Sequence, residues 1–191
     1  MDASKVLRHA RHDRGMTVRR LAELGKTSPA AISQIETGAR GVSVDRLQSL
    51  LLKTRHRLIA VPTIASTPAE VAEGIKSALN ESLPLRAYRM FIGYSDVLRE
   101  LDHGVRVAIT LTAPESTGNQ LYDAALAALV QHWLSVDLLP IPTWVTDRSL
   151  VLTEPRHLGE TAYESAPTRE EVPEAFLAHN VLFPAEALES V

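Results

Sequence analysis

The residues able to do chemistry in this chain are mostly cations, and they are unevenly spread. Residues 1–57 hold twelve Lys/Arg against five Asp/Glu, a net of +7, whereas residues 58–191 hold eight against eighteen, a net of −10; together they give the whole-chain −3. A basic stretch of this size suits a polyanion such as nucleic acid, and the acidic remainder repels one. The chain therefore reads as two modules with different partners. Patterns for catalysis or metal binding are absent by comparison. With no cysteine, disulfides and thiolate metal sites are excluded and a reducing compartment is the natural setting. His9 and His12 stand three residues apart without an acidic companion, and His103, His132, His157 and His179 belong to no metal or catalytic signature. Ser95-Asp96 and Asp102-His103 lack a third partner and are expected at helix ends and turns. The glycines form no phosphate-binding loop. No catalytic residue, metal or cofactor is expected, and the chain does not read as an enzyme.

The cations need a frame, and the first 57 residues supply strong boundary signals for four short helices. Thr17 is placed to cap the second helix, with Met16 as an apolar staple onto Leu21. Ser28 caps the third, Pro29 fills its first helical position, where a missing N–H costs nothing, and Gly38 stops it. Ser43 caps the fourth, VDRLQSLLLKTRH, with Val42 placed to staple onto Leu47.

The stretch MTVRRLAELGKTSPAAISQIETGARGVSVDRLQSLL resembles the helix-turn-helix of the Cro/C1 (Xre) repressor family. Its landmarks are Leu21-Ala22 on the second helix, the Ser28 cap, Ile32-Ser33 and Ile35-Glu36 on the third, and Gly38 at its end. The resemblance implies that the third helix enters the major groove while the second grips the backbone. Pro29, Ala30, Ala31, Ser33 and Gln34 then lie on the exposed reading face. Gln34 is the best base reader, because its amide can pair bidentately with adenine. Ser28 suits a phosphate oxygen, and Arg40 reaches the backbone or minor groove. Thr17, Arg19, Arg20 and Lys26 are further phosphate contacts. Arg11 and Glu36 occupy positions that the family joins by an internal ion pair. Two departures stand out: Val18 replaces a frequent glutamine, and Gly25 sits one residue before the family's turn glycine, which falls at Lys26. A slightly altered turn and one lost polar contact are expected.

Beyond residue 57, RLIAVPTIASTP reads as a short strand or connector. PAEVAEGIKSALN and LRAYRMFIGYSDVLREL read as helices started by Thr67-Pro68 and Pro84, the second with Leu85, Tyr88, Ile92 and Ser95 along one side. HGVRVAITLTAP, with alternating Val105, Val107, Ile109 and Leu111, reads as a strand near 105–112. In QLYDAALAALVQHWLSVDLL, the residues Leu121, Ala125, Leu129, Trp133 and Val136 share a helix face. Pro140 and Pro142 keep LPIPTWV extended. Residues 154–191 are acidic and broken by prolines, yet Phe176, Leu177, Val181, Leu182, Phe183 and Leu188 are too many for simple disorder and must pack on this chain or on a partner.

The expected architecture is mainly α: a four- or five-helix Cro/C1-type domain at 1–60, an α-rich (α+β) domain with short strands at 61–153, and the terminal segment 154–191. LPIPTWV and the end of the chain also resemble regions attached to Xre-type domains in toxin–antitoxin operons. That resemblance implies an autoregulatory antitoxin, a DNA-binding repressor that neutralises a protein toxin, with Phe176, Leu182 and Phe183 as partner-binding residues. A stand-alone regulator sensing a small molecule is the alternative, and an interaction module that no longer reads DNA is the third. One recognition helix reads few base pairs, so a homodimer on a palindromic double-stranded operator is expected, joined through the helix at 121–138 or the terminal segment. No apolar run approaches the roughly 18–20 residues of a membrane span, and MDASKVLRHARHDRG lacks the apolar core of a secretory signal. A cytoplasmic location is expected.

Overall fold

The computed structural model describes residues 3–160 and 165–189; residues 161–164 and 190–191 of the terminal segment, and residues 1–2, lie outside the described residues. The chain divides into two compact units, residues 1–60 and 61–191.

The first unit holds four helices, α1 (Ala3–Asp13), α2 (Val18–Leu24), α3 (Pro29–Glu36) and α4 (Val44–Lys53). Three begin with a hydroxyl cap: Thr17, Ser28 and Ser43 each accept a hydrogen bond from the backbone N–H three residues ahead. These caps satisfy N–H groups that a helix leaves unpaired at its start. The helices enclose Leu7, Ala10, Leu21, Ala22, Ile32, Ile35, Leu47, Leu50 and Leu51, with Val18 and Val42 packed at the edge. Residues 56–67 run without helix or strand, so RLIAVPTIASTP is a connector.

The second unit starts with α5 (Pro68–Asn80) and α6 (Pro84–Glu100), a helical hairpin. A full capping box opens α5, with Thr67 and Glu70 each bonded to the other's backbone N–H, and the carboxylate of Glu70 is held below its usual range by those bonds. The hairpin closes tightly at Gly74, where a Cβ would lie 2.1 Å from Met90 Cε. Then follow α7 (His103–Thr110), α8 (Gln120–Val136), β1 (Arg156–His157), α9 (Glu174–Ala178), β2 (Val181–Leu182) and α10 (Glu186–Glu189), with 3-10 turns at Arg148–Leu150 and Arg169–Glu171. β1 and β2 pair in parallel, Arg156 opposite Val181 and His157 opposite Leu182. No helix among the described residues is long and apolar enough to cross a membrane.

Several expectations for this unit are corrected. The strand near 105–112 is the helix α7. Asp102 caps it through Gly104 N–H at 2.9 Å, and its buried residues Arg106, Ile109 and Thr110 follow helical spacing. Its β-branched residues mimic alternation, but the burial of Arg106 decides the matter. The Arg106 guanidinium donates to the carbonyls of Trp133 (2.8 Å), Arg99 (3.0 Å) and Leu101 (3.1 Å) and to the Asp137 carboxylate, tying together the ends of α6 and α8. On α6 the core face is Ala87, Phe91, Tyr94, Ser95 and Leu98; of the side expected from the sequence, Ser95 is in the core, Tyr88 and Ile92 pack against it in part, and Leu85 is exposed. Ser95 is no helix end but a mid-helix acceptor for the Trp133 indole N–H at 2.9 Å. α8 is buried on nearly every side from Tyr122 to Val130, while Val136 is exposed. Pro140 and Pro142 do exclude regular helix, and Thr143–Thr146 form a turn.

The terminal segment folds into this core. Phe176 and Phe183 are fully buried, stacked on each other with centroids 5.3 Å apart, and Phe183 meets Phe91 edge-on at 5.4 Å. Leu182 is half-buried on β2. Phe176 and Phe183 are thus core residues, not a surface offered to a partner. His179 and Asn180 pin the segment: His179 Nδ1 bonds Leu150 O at 2.8 Å, and Asn180 donates to Leu152 O at 2.7 Å.

Candidate nucleic-acid interface

The turn between α2 and α3 sets the angle between the two helices, and it is built by short-range bonds. Gly25 N–H donates to Leu21 O at 2.8 Å, and Thr27 N–H to Ala22 O at 3.0 Å. Between them Lys26 takes the left-handed conformation at φ +49°, whereas Gly25 has φ −83°. The left-handed residue stays at position 26 with a lysine bearing the strain, and Gly25 serves close packing. A Cβ on Gly25 would lie 2.6 Å from Leu50 Cδ2 and 3.1 Å from Leu21 O. Arg46 of α4 donates to the Gly25 carbonyl at 2.8 Å, closing the end of α2.

Helix α3 is two-sided. Ile32, Ile35 and Glu36 are buried, while Pro29, Ala30, Ser33 and Gln34 are exposed and Ala31 is half-exposed. This places five of the residues assigned to the reading face on one outward surface. Ser28 stands exposed at the positive end of α3, its Oγ accepting Ala31 N–H at 3.1 Å, which leaves its own O–H free to donate to a phosphate. Past the helix, Gly38 takes φ +74°, and Arg40 N–H donates to Gln34 O at 3.0 Å. Thr37 Oγ donates to the carbonyls of Ser33 and Gln34 at 3.0 and 3.2 Å. Arg40 is thereby fixed beside the residue best suited to read a base.

Under the reading helix lies the ion pair. Arg11 Nε and Nη2 donate to the two Glu36 carboxylate oxygens, each at 2.8 Å, and Nη1 donates to Met16 O at 2.7 Å. The Glu36 bonds push the guanidinium's pKa above its ordinary value, so the arginine stays charged. Thr17, Arg19, Arg20 and Lys26 are all exposed. Arg20 bonds Glu23 at 3.1 Å, which leaves it a poorer phosphate ligand than Arg19 or Lys26.

Two capped helices joined by a left-handed turn, the second exposing a polar face with cations at its rim, form a recognisable device. Residues 4–51 match the family model for a helix-turn-helix domain. The first unit is a helix-turn-helix domain of the Cro/C1 type. No curated protein and no solved structure matches the chain. In the helix-turn-helix domain α3 is the recognition helix and α2 its support. A domain of this kind suggests DNA binding and a regulatory role. Sequence reasoning missed Arg46, whose role depends on a contact 21 residues away, and Thr37, whose hydroxyl closes the end of α3 on the Ser33 and Gln34 carbonyls.

Proposed function

We propose that the chain is a sequence-specific transcriptional repressor, acting in the cytoplasm as a homodimer on a two-fold double-stranded operator. The observation that carries this reading is the outward face of α3, where Ser28, Ser33 and Gln34 are exposed beside the fixed Arg40. Gln34 reads a base edge, the Ser28 hydroxyl and the helix end hold a phosphate, and Arg19, Lys26 and Arg40 neutralise neighbouring phosphates. Ala30 and Ala31 leave room for apolar contact with a thymine methyl. The toxin-neutralising reading draws no support from the terminal phenylalanines, which fill the core of their own unit. Ligand sensing has no observation in its favour.

The test is selection of duplexes from a random pool by the full-length protein, followed by titration of the winners at several salt concentrations. A two-fold site with half-sites about one DNA turn apart, bound at least about a thousandfold tighter than random duplex, is the expected result. Equal affinity for selected and random duplex at every salt concentration overturns the proposal.

A further inference from the structure

The last turn of α3 closes in an uncommon way. In a continuing α-helix the carbonyl of Gln34 would accept the N–H of Gly38. Gly38, at φ +74°, donates instead to Ile35 O at 3.1 Å. Gln34 O takes two other donors, the Arg40 N–H at 3.0 Å and the Thr37 hydroxyl at 3.2 Å. The same hydroxyl is directed at Ser33 O, 3.0 Å away. Its single hydrogen therefore bridges the carbonyls of Ser33 and Gln34, the two polar residues in the middle of the reading face.

The chain beyond this point has little structure of its own. Residues 38–42 form neither helix nor strand, and Arg40 lies exposed among them. Gly38 and Gly41 flank it, and a Cβ on either would meet nothing within 4 Å. The Arg40–Gln34 bond folds this stretch back onto α3. Thr37 is itself exposed, so water can serve the two carbonyls in its place and the bond adds little to stability. What it adds is geometry. It keeps the final turn of α3 wound up to the point where the backbone reverses, and so sets where Arg40 leaves the helix relative to Gln34. A side chain held in place beforehand avoids the entropy that ordering it on a ligand would cost. We propose that Thr37 is a positioning residue for DNA recognition: its hydroxyl fixes the Arg40 turn, so that the guanidinium meets a backbone phosphate in register with the base that Gln34 reads. Thr37 touches no DNA group in this role and acts through Arg40. The inference rests on the sequence-specific DNA-binding reading and names the residue that keeps its base contact and its phosphate contact in step.

The test is a double-mutant cycle in the full-length protein, read on the duplex selected from the random pool. Thr37→Val removes the hydroxyl and nearly keeps the shape. It weakens operator binding about two- to tenfold and lowers the salt slope by up to about one as the Arg40 phosphate contact is lost, with the melting temperature unchanged. Thr37→Ser, which keeps the hydroxyl, restores both affinity and slope. Arg40→Ala lowers affinity and slope in the same way, and adding Thr37→Val to it changes neither further, because the hydroxyl then has nothing to position. Additive losses overturn the proposal, since a Thr37 that bonds DNA directly or only supports the fold keeps its effect in either background. Wild-type binding by Thr37→Val, or by Arg40→Ala, overturns it as well. A failure of the operator reading looks different. Wild-type protein then binds selected and random duplex alike and both readings fall, whereas an operator preference with an additive cycle removes the role of Thr37 alone.

Discussion

Arg11 and Glu36 meet through two parallel hydrogen bonds of 2.8 Å, joining the end of α1 to the last turn of α3 from 25 residues apart. The pair is almost wholly buried and a third Arg11 donor closes the loop at Met16. It therefore holds the recognition helix at a fixed tilt rather than adding surface charge.

Removing one partner strands the other charge. Glu36→Ala is expected to cost about 3–5 kcal/mol, comparable with the whole stability of a 60-residue unit. Both tryptophans, Trp133 and Trp144, lie in the second unit. Thermal unfolding followed by circular dichroism should lose the first unit's contribution while the tryptophan fluorescence transition stays in place. A variant whose dichroism melts as wild type refutes the structural role.

Gln34→Ala touches an exposed side chain and should leave both transitions unmoved. Its effect belongs to DNA: loss of one bidentate contact weakens operator binding by about 1–3 kcal/mol, roughly five- to 150-fold, with random-duplex affinity unchanged. Parallel losses on operator and random duplex would place Gln34 on the backbone instead of a base.

The turn makes opposite predictions at neighbouring positions. Lys26→Gly relieves a left-handed lysine at φ +49° and should stabilise the first unit by up to about 1 kcal/mol, while removing a phosphate contact and lowering the salt dependence of DNA binding. Gly25→Ala forces a Cβ to within 2.6 Å of Leu50 Cδ2 and should destabilise by about 1–3 kcal/mol. Chemical denaturation of both variants checks the signs, and a stabilised Gly25→Ala would contradict the packing role.

His179 gives the second unit a pH dependence. Burial lowers its pKa from the ordinary value near 6.5, against a smaller opposing effect of its bond to Leu150 O. The unfolded chain then binds a proton that the folded one resists. The contribution is complete above about pH 6.5 and is lost as the pH falls toward the folded-state value. Urea unfolding monitored by tryptophan fluorescence should show a falling midpoint below about pH 6.5, and His179→Gln should flatten that fall. An unchanged slope in the variant assigns it to other groups.

Where a signal is local, the amino-acid sequence settles the structure. The caps Thr17, Ser28, Ser43 and Thr67 each act on a backbone N–H three residues away, so their positions along the chain suffice to mark the helix starts, and the spacing of Ile32 and Ile35 fixes which side of α3 turns inward. The charge division at residue 57 is likewise visible without a fold. Only the tertiary structure decides the rest. α7 is a helix against its β-like alternation because Arg106 finds carbonyls on α6 and α8, partners up to 27 residues off. Phe183 faces inward because Phe91, 92 residues earlier, offers it a ring to pack on, and Phe176 stacks on Phe183 in turn. An apolar residue announces that it will be buried, but not by what, since the hydrophobic effect has no direction and the choice between this chain and a partner is made by the space the fold leaves.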